Sequence, residues 1–139
     1  MTTFQLEIVT PERLLFSDQV SFVSVMAAEG SMGILANHAP LVTTLQIAPV
    51  KIRFPDQKER WIAVEGGFME VTGSKVTILA ETAELPEEID VNRALRAKER
   101  AEQRLARRDE YDFKRAELAL KRALTRIEVS QTINQSHRD

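Results

Sequence analysis

Arginines hold the chain's most concentrated chemical potential. Arg93, Arg96, Arg100, Arg104 and Arg107 recur at steps of three and four, the spacing that puts side chains on one face of a helix. Arg115, Arg122 and Arg126 form a matching stripe further on. Like charges at this spacing weaken an isolated helix by about 0.2–0.5 kcal/mol each. The bland reading is a solvated helix face. However, the residue is mostly arginine rather than lysine, and the planar guanidinium fork is the better grip on carboxylate or phosphate. Two further readings therefore stand beside it: contact with an acidic protein surface, or with a phosphate-bearing small molecule. The first stripe starts inside Ile89-Asp90-Val91-Asn92-Arg93-Ala94. Asp90 there is a good N-cap, and Arg93 lies one turn on. Alone, this is a helix start with an exposed ion pair worth about 0–1 kcal/mol.

Other chemistry is poorly supported. Two histidines and no cysteine do not make a structural zinc site, and disulfides are excluded. No nucleophile elbow, Walker loop or dinucleotide-binding glycine pattern occurs. Gly30-Ser31-Met32-Gly33 is too short for a phosphate cradle and lacks a following lysine. His38, ahead of Ala39-Pro40, reads as a hydrogen-bonded turn residue. No catalytic residue and no metal ligand is assigned, and catalysis by this chain alone is not expected. The net charge of -2 gives no strong field toward nucleic acid or membrane. The balance is nevertheless uneven, acidic up to residue 85 and basic beyond it. No apolar run approaches the ~20 residues of a membrane span, and Met1-Thr2-Thr3-Phe4-Gln5 lacks the regions of a signal peptide. The expectation is a soluble intracellular protein that can reach a membrane through partners.

Two kinds of element would have to position these groups. Phe4 to Val9 alternates apolar and polar residues as a half-buried strand does, and Thr10-Pro11-Glu12 breaks it. Leu14–Phe16, Val20–Met26, Ile34-Leu35, Leu41–Ile47, Val50–Phe54, Trp61–Val64, Phe68–Val71 and Val76–Leu79 read as further strands. Turns are expected between Gly30 and Gly33, at Asn37-His38-Ala39-Pro40, Pro55-Asp56, Gly66-Gly67 and Thr72-Gly73-Ser74. Closely spaced short strands suggest an antiparallel sandwich or barrel, its core drawn from Leu6, Ile8, Val23, Val25, Ile62, Val64, Val76 and Ile78. Glu81 to Glu88 is an acidic connection holding Pro86, short enough to act as a hinge.

From Asp90 the period becomes helical. Val91, Ala94, Ala97, Ala101 and Leu105 form one seam. Arg107-Arg108-Asp109-Glu110 interrupts it, and Phe113, Ala116, Leu120, Leu124 and Ile127 form a second. Glu110 with Lys114 and Glu117 with Lys121 are favourable i,i+4 pairs. The expected class is α+β: an antiparallel β-sandwich over residues 1–85, an antiparallel two-helix hairpin over 86–130, and a polar, disordered tail over 131–139. Alanine buries little area, so the hairpin needs a surface to dock on.

The ordered set of local motifs resembles one family. Val9-Thr10-Pro11, Gly30-Ser31-Met32-Gly33-Ile34-Leu35 with His38-Ala39-Pro40-Leu41, Gly66-Gly67-Phe68-Met69-Glu70-Val71, Lys75-Val76-Thr77-Ile78-Leu79-Ala80 and the run Asp112 to Ala123 together look like the epsilon subunit of a bacterial F-type ATP synthase. The resemblance implies a non-catalytic subunit whose sandwich joins the gamma subunit to the membrane rotor ring of c subunits. It implies a hairpin that lies folded on the sandwich or extends beside gamma. The extended hairpin would block ATP hydrolysis by meeting the beta and alpha subunits of the catalytic head. The protein would then sit peripherally on the cytoplasmic side of the cell membrane. In bacillus-type members an Ile/Leu-Asp-x-x-Arg-Ala box on the folded hairpin binds ATP. The resemblance thereby assigns ATP contacts to Ile89, Asp90, Arg93 and Ala94, with Glu84 before them, Arg122 and Arg126 on the second helix, and Arg100 as a looser match. Glu84 and Asp90 would meet the adenine amino group or ribose hydroxyls. Arg93, Arg122 and Arg126 would converge on the triphosphate only when the helices lie antiparallel. A helical-hairpin adaptor for an acidic partner or nucleic acid is the alternative. The negative total charge and the lack of interleaved aromatics on the hairpin count against nucleic acid.

Overall fold

The computed structural model describes residues 2–107 and 112–133. The first part is built from β1 (Phe4–Val9), β2 (Leu14–Val20), β3 (Phe22–Ala27), β4 (Gly30–Leu35), β5 (Leu41–Arg53), β6 (Glu59–Thr72), β7 (Lys75–Ala80) and β8 (Ala83–Glu84). Hydrogen bonding runs in the order β2-β1-β7-β6-β5-β3-β4, with β8 on β6. The Phe16 ring on β2, at one end of this path, lies 6.1 Å from that of Phe54, just past β5. Strands that far apart can touch only if the sheet folds over on itself, and so it forms a β-sandwich. Every residue expected in the core, from Leu6 to Ile78, is buried within it.

Several local expectations are corrected. The sandwich is not wholly antiparallel, because β1 and β7 pair parallel, Gln5 with Lys75 through Val9 with Leu79. Leu41–Ile47 and Val50–Phe54 merge into β5, and Trp61–Val64 and Phe68–Val71 into β6. Gly66-Gly67 is therefore no turn but a kink inside β6. The two residues have φ of 81° and 128°, which glycine adopts without a Cβ clash. A Cβ on Gly67 would stand 2.1 Å from the Leu79 carbonyl oxygen. Gly30 and Gly33 likewise lie within β4, and the turn falls before them, at Ala28-Glu29.

A 3-10 turn, Pro86–Glu88, leads into α1 (Val91–Ala106) and α2 (Phe113–Ser130). Asp90 Oδ1 accepts the Arg93 N–H at 3.0 Å, and Asp112 Oδ1 accepts that of Arg115 at 3.1 Å. Each cap is worth about 1 kcal/mol to its helix. The helices pack on each other, and α2 also packs on β5, β6 and the 3-10 turn. The hairpin is thus folded down, docked through its second helix.

The helical seams keep the expected Ala94, Ala101 and Ala116, with Ala97, Leu105, Leu120 and Ile127 half-buried, but not all of the larger residues. In α1, Ala94 and Ala101 are buried while Val91 is exposed. In α2 the buried residues are Ala116, Ala123, Thr125 and Val129, and Leu124 and Phe113 face out. Small residues set both seams, so the larger apolar side chains flank the contact instead of forming it. Glu117 pairs with Lys114, at 3.4 Å, and not with Lys121. Arg108 to Glu110, the Glu110–Lys114 pair and the tail past 133 fall outside the described residues.

One stretch of β6 records the docking. Ile62 and Val64 point into the sandwich core. Trp61 and Ala63, on the opposite face, pack with Ile89 and Val129. Side chains alternate along a strand, so Glu65 shares that outer face, and it is buried too.

Candidate functional site

Four segments enclose a cavity of about 360 Å³. The β1–β2 turn supplies Thr10, Glu12 and Arg13, and the stretch after β7 supplies Glu81 to Glu84. Glu88, Asp90, Arg93 and Ala94 come from the entry to α1, and Arg126 from α2. The volume lies at the lower end of the range for small-molecule pockets, about 300–1,000 Å³. The α1 entry and Arg126 meet only because the hairpin is folded.

Of the residues assigned by resemblance, Glu84, Asp90, Arg93, Ala94 and Arg126 line this cavity. Ile89 does not. It is buried beside the cavity against Ala63, Trp61 and Val129, where it anchors the start of the hairpin. Arg122 lines an adjoining cleft with Glu65, Gly66, Glu81 and Leu118. Glu81 borders both spaces, so Arg122 is a neighbour of the cavity and not part of its wall. Arg100 is exposed on α1 and lines neither space. The expected arginine stripes also part company. Arg93, Arg96, Arg100, Arg104, Arg107 and Arg115 are exposed, whereas Arg122 and Arg126 are half-buried.

Charges in the site are organised around Arg126. Its Nε lies 2.7 Å from Glu84 Oε1, and its Nη2 lies 2.9 Å from Glu65 Oε1. The Thr82 hydroxyl donates to the other Glu65 oxygen, and the Glu65 N–H donates to the Thr82 carbonyl at 2.9 Å. On the opposite wall, Arg13 Nη2 lies 2.7 Å from Glu88 Oε1. Partial burial opposes ionisation of Glu88, but the Leu85 N–H, the Arg13 guanidinium and the Arg60 charge outweigh it. Together they hold its carboxyl below the usual range. Outside the cavity, Arg60 grips Glu87 at 3.0 Å. Both acidic residues of the 3-10 turn are therefore tied to the sandwich.

Five carboxylates and three guanidiniums line the cavity. A purely anionic ligand would meet a net acidic wall. A ligand with hydrogen-bond donors at one end and anionic oxygens at the other fits better. Asp90 has one oxygen beyond its cap bond, and Arg93 has no carboxylate within ion-pair distance among the described residues.

Sequence reasoning missed Arg13, Glu65, Glu81 and Thr82. Only Glu65 left a signal. Trp61 and Ala63 are apolar on what would be the solvent face of β6, which marks that face as covered, and Glu65 continues the row.

The fold and its cavity define a class: a β-sandwich with a helical arm docked across one face and a charged site at the junction. Residues 3–86 match the family described as ATP synthase, Delta/Epsilon chain, beta-sandwich domain, and residues 87–131 match its long alpha-helix domain. The chain therefore belongs to the delta/epsilon-chain family of ATP synthase, in its bacterial F-type epsilon form. The chain is 52% identical over 130 residues to the ATP synthase epsilon chain of Natranaerobius thermophilus, covering 92% of each. It is 48% identical over 132 residues to that of Halalkalibacterium halodurans, covering 94% of this chain and 98% of the relative. A chain of the Euglena gracilis mitochondrial ATP synthase OSCP/F1/c-ring structure superposes with a TM-score of 0.81 at 24% identity. That match covers 94% of this chain and 82% of the other, and it shows the shared fold.

Proposed function

We propose that this chain is a non-catalytic central-stalk subunit whose hairpin governs ATP hydrolysis and whose folded form takes up ATP. Its sandwich would join gamma to the ring of c subunits, which places the protein peripherally on the cytoplasmic side of the cell membrane. Its hairpin, when extended, would press the exposed α1 arginines against the catalytic head. One observation carries the regulatory reading: the folded hairpin gathers Glu84, Asp90, Arg93, Ala94 and Arg126 from separate segments around a single cavity.

The residues present fit ATP. Glu84 and the outer oxygen of Asp90 are acceptors for an adenine amino group or ribose hydroxyls. Arg93 is available to phosphate, Arg122 stands next door, and Arg126 can share its fork with phosphate oxygens. An extended hairpin would take Arg126 and Arg122 away from Glu84 and the β1–β2 turn. ATP would then bind the folded state better, the condition for shifting a population. At 100 times its dissociation constant the shift is about 2.7 kcal/mol. Calorimetric titration of the full chain with ATP tests this, beside Asp90→Asn with Arg93→Ala. Asparagine keeps the helix cap, so lost binding reports lost ligand contacts. Equal binding by both proteins would refute the contacts assigned to Asp90 and Arg93, and no binding by either at millimolar ATP would refute nucleotide binding.

A further inference from the structure

Glu65 plays no part in the expected ATP box, yet it is the most enclosed charged group described. Only 6% of the residue is exposed. Its position follows from β6. It lies one step before the Gly66-Gly67 kink, on the face that α2 covers. The Thr82 hydroxyl donates to the carboxylate from the sandwich side, and the Thr82 carbonyl accepts the Glu65 backbone N–H. Arg126 of α2 is the one cation within ion-pair distance of Glu65 among the described residues.

We infer that Glu65 is a positioning residue for Arg126 and, through it, a latch that holds α2 on the sandwich with no nucleotide bound. A buried carboxylate that loses its partner is strongly disfavoured, because little water reaches it and no opposite charge remains. Undocking α2 withdraws that partner. The apolar part of the dock is small: Val129 against Ala63, Ile89 and Trp61. α2 also lies along β5, and the ionic clamp adds to these contacts in opposing opening. Glu84 completes the clamp at 2.7 Å, but its side chain is 32% exposed against 5% for Glu65. Water can replace the arginine at Glu84 far better than at Glu65. Glu84 accepts a hydrogen bond from the guanidinium and Glu65 holds it by charge, its Oε1 having no aligned hydrogen bond, so ATP would meet an arginine already at the cavity edge.

This inference rests on the hairpin being a movable arm and not on ATP binding, so the test uses the full chain without nucleotide. Amide hydrogen exchange is followed for α2 and for β5 to β7 in the wild type, Glu65→Gln, Glu84→Gln, Arg126→Met and the Glu65→Gln/Arg126→Met pair. Glutamine keeps the shape and the acceptor for Thr82 while removing the charge. Glu65→Gln should speed exchange across Ala116 to Val129 by roughly tenfold, the factor that one to two kcal/mol brings, with the strands unchanged. Glu84→Gln should do less, and the double variant should open no more than Arg126→Met alone. Unchanged α2 exchange in Glu65→Gln, where α2 opens independently of the strands, would overturn the latch alone. Wild-type α2 and strands exchanging together would overturn the movable arm with it. A Glu65→Gln chain that loosens throughout the sandwich, or fails to fold, would also contradict the latch, since the charge would then serve the sheet.

Discussion

Val129→Ala is the sharpest probe of the docked hairpin. Val129 is fully buried, in one apolar cluster with Ala63, Ile89 and the partly buried Trp61. The substitution removes the equivalent of two methylenes, at about 0.8 kcal/mol each. A partly unrelaxed cavity adds to that, for a total of about 1.5–2.5 kcal/mol. None of the sandwich's inner core is touched, because that core lies on the other face of β6. The loss therefore falls on the docked state, and the ratio of folded to extended hairpin should drop about 10- to 60-fold. The assay is ATP hydrolysis by the assembled head with wild-type or Val129→Ala chain, with thermal unfolding of the isolated variant alongside. Stronger inhibition with an intact sandwich is expected. Equal or weaker inhibition would refute the idea that apolar docking of α2 holds the arm away from the head.

Three other outcomes follow from particular contacts. Gly67→Ala should prevent the sandwich from forming at its normal stability, since φ of 128° and the close approach of the Leu79 carbonyl leave no room for a Cβ; circular dichroism melts against Gly73→Ala, which carries the strain of a positive φ of 54° but has open space around it, should show the smaller loss there. Glu88 has its folded pKa lowered, so its contribution is complete above the ordinary carboxylate value of about 4.3 and fades as pH falls through the lower folded value. The stability difference between wild type and Arg13→Ala should accordingly be small, under about 1 kcal/mol for so exposed a pair, and should shrink as pH falls below the ordinary carboxylate range. Replacing the exposed Arg96, Arg100, Arg104 and Arg107 together by Ala should relieve inhibition of the head, and raising salt should weaken inhibition by the unmodified chain, because exposed charges are screened over about 8–10 Å.

The two-part architecture was legible because two periods are written plainly. Alternation in Phe4–Val9 and Lys75–Ala80 and three-to-four spacing after Asp90 each match their elements. Gly66-Gly67 misled because glycine marks any positive φ, and a kink within a strand carries the same residue signature as a turn. The α2 face was misread through Leu124, since the buried row is Ala116, Ala123, Thr125 and Val129. Size ranks residues poorly where two helices meet at small side chains. At the cavity, Glu84, Asp90, Arg93 and Ala94 were named by resemblance and stand close along the chain. Arg13 was not visible, and Glu65 only as the residue continuing the row of Trp61 and Ala63, because their partners Glu88 and Arg126 lie far along the sequence. No local pattern encodes a contact that depends on how a helix is laid across a sheet.

The central claim is that the hairpin governs hydrolysis and that ATP holds it folded. The most direct measurement is the rate of ATP hydrolysis by the assembled head at rising ATP, with the full chain and with a chain ending at Glu88. The full chain should suppress hydrolysis most at low ATP and release it as the cavity fills. The shortened chain should support fast hydrolysis throughout. Equal rates for the two chains at every ATP concentration would contradict the account.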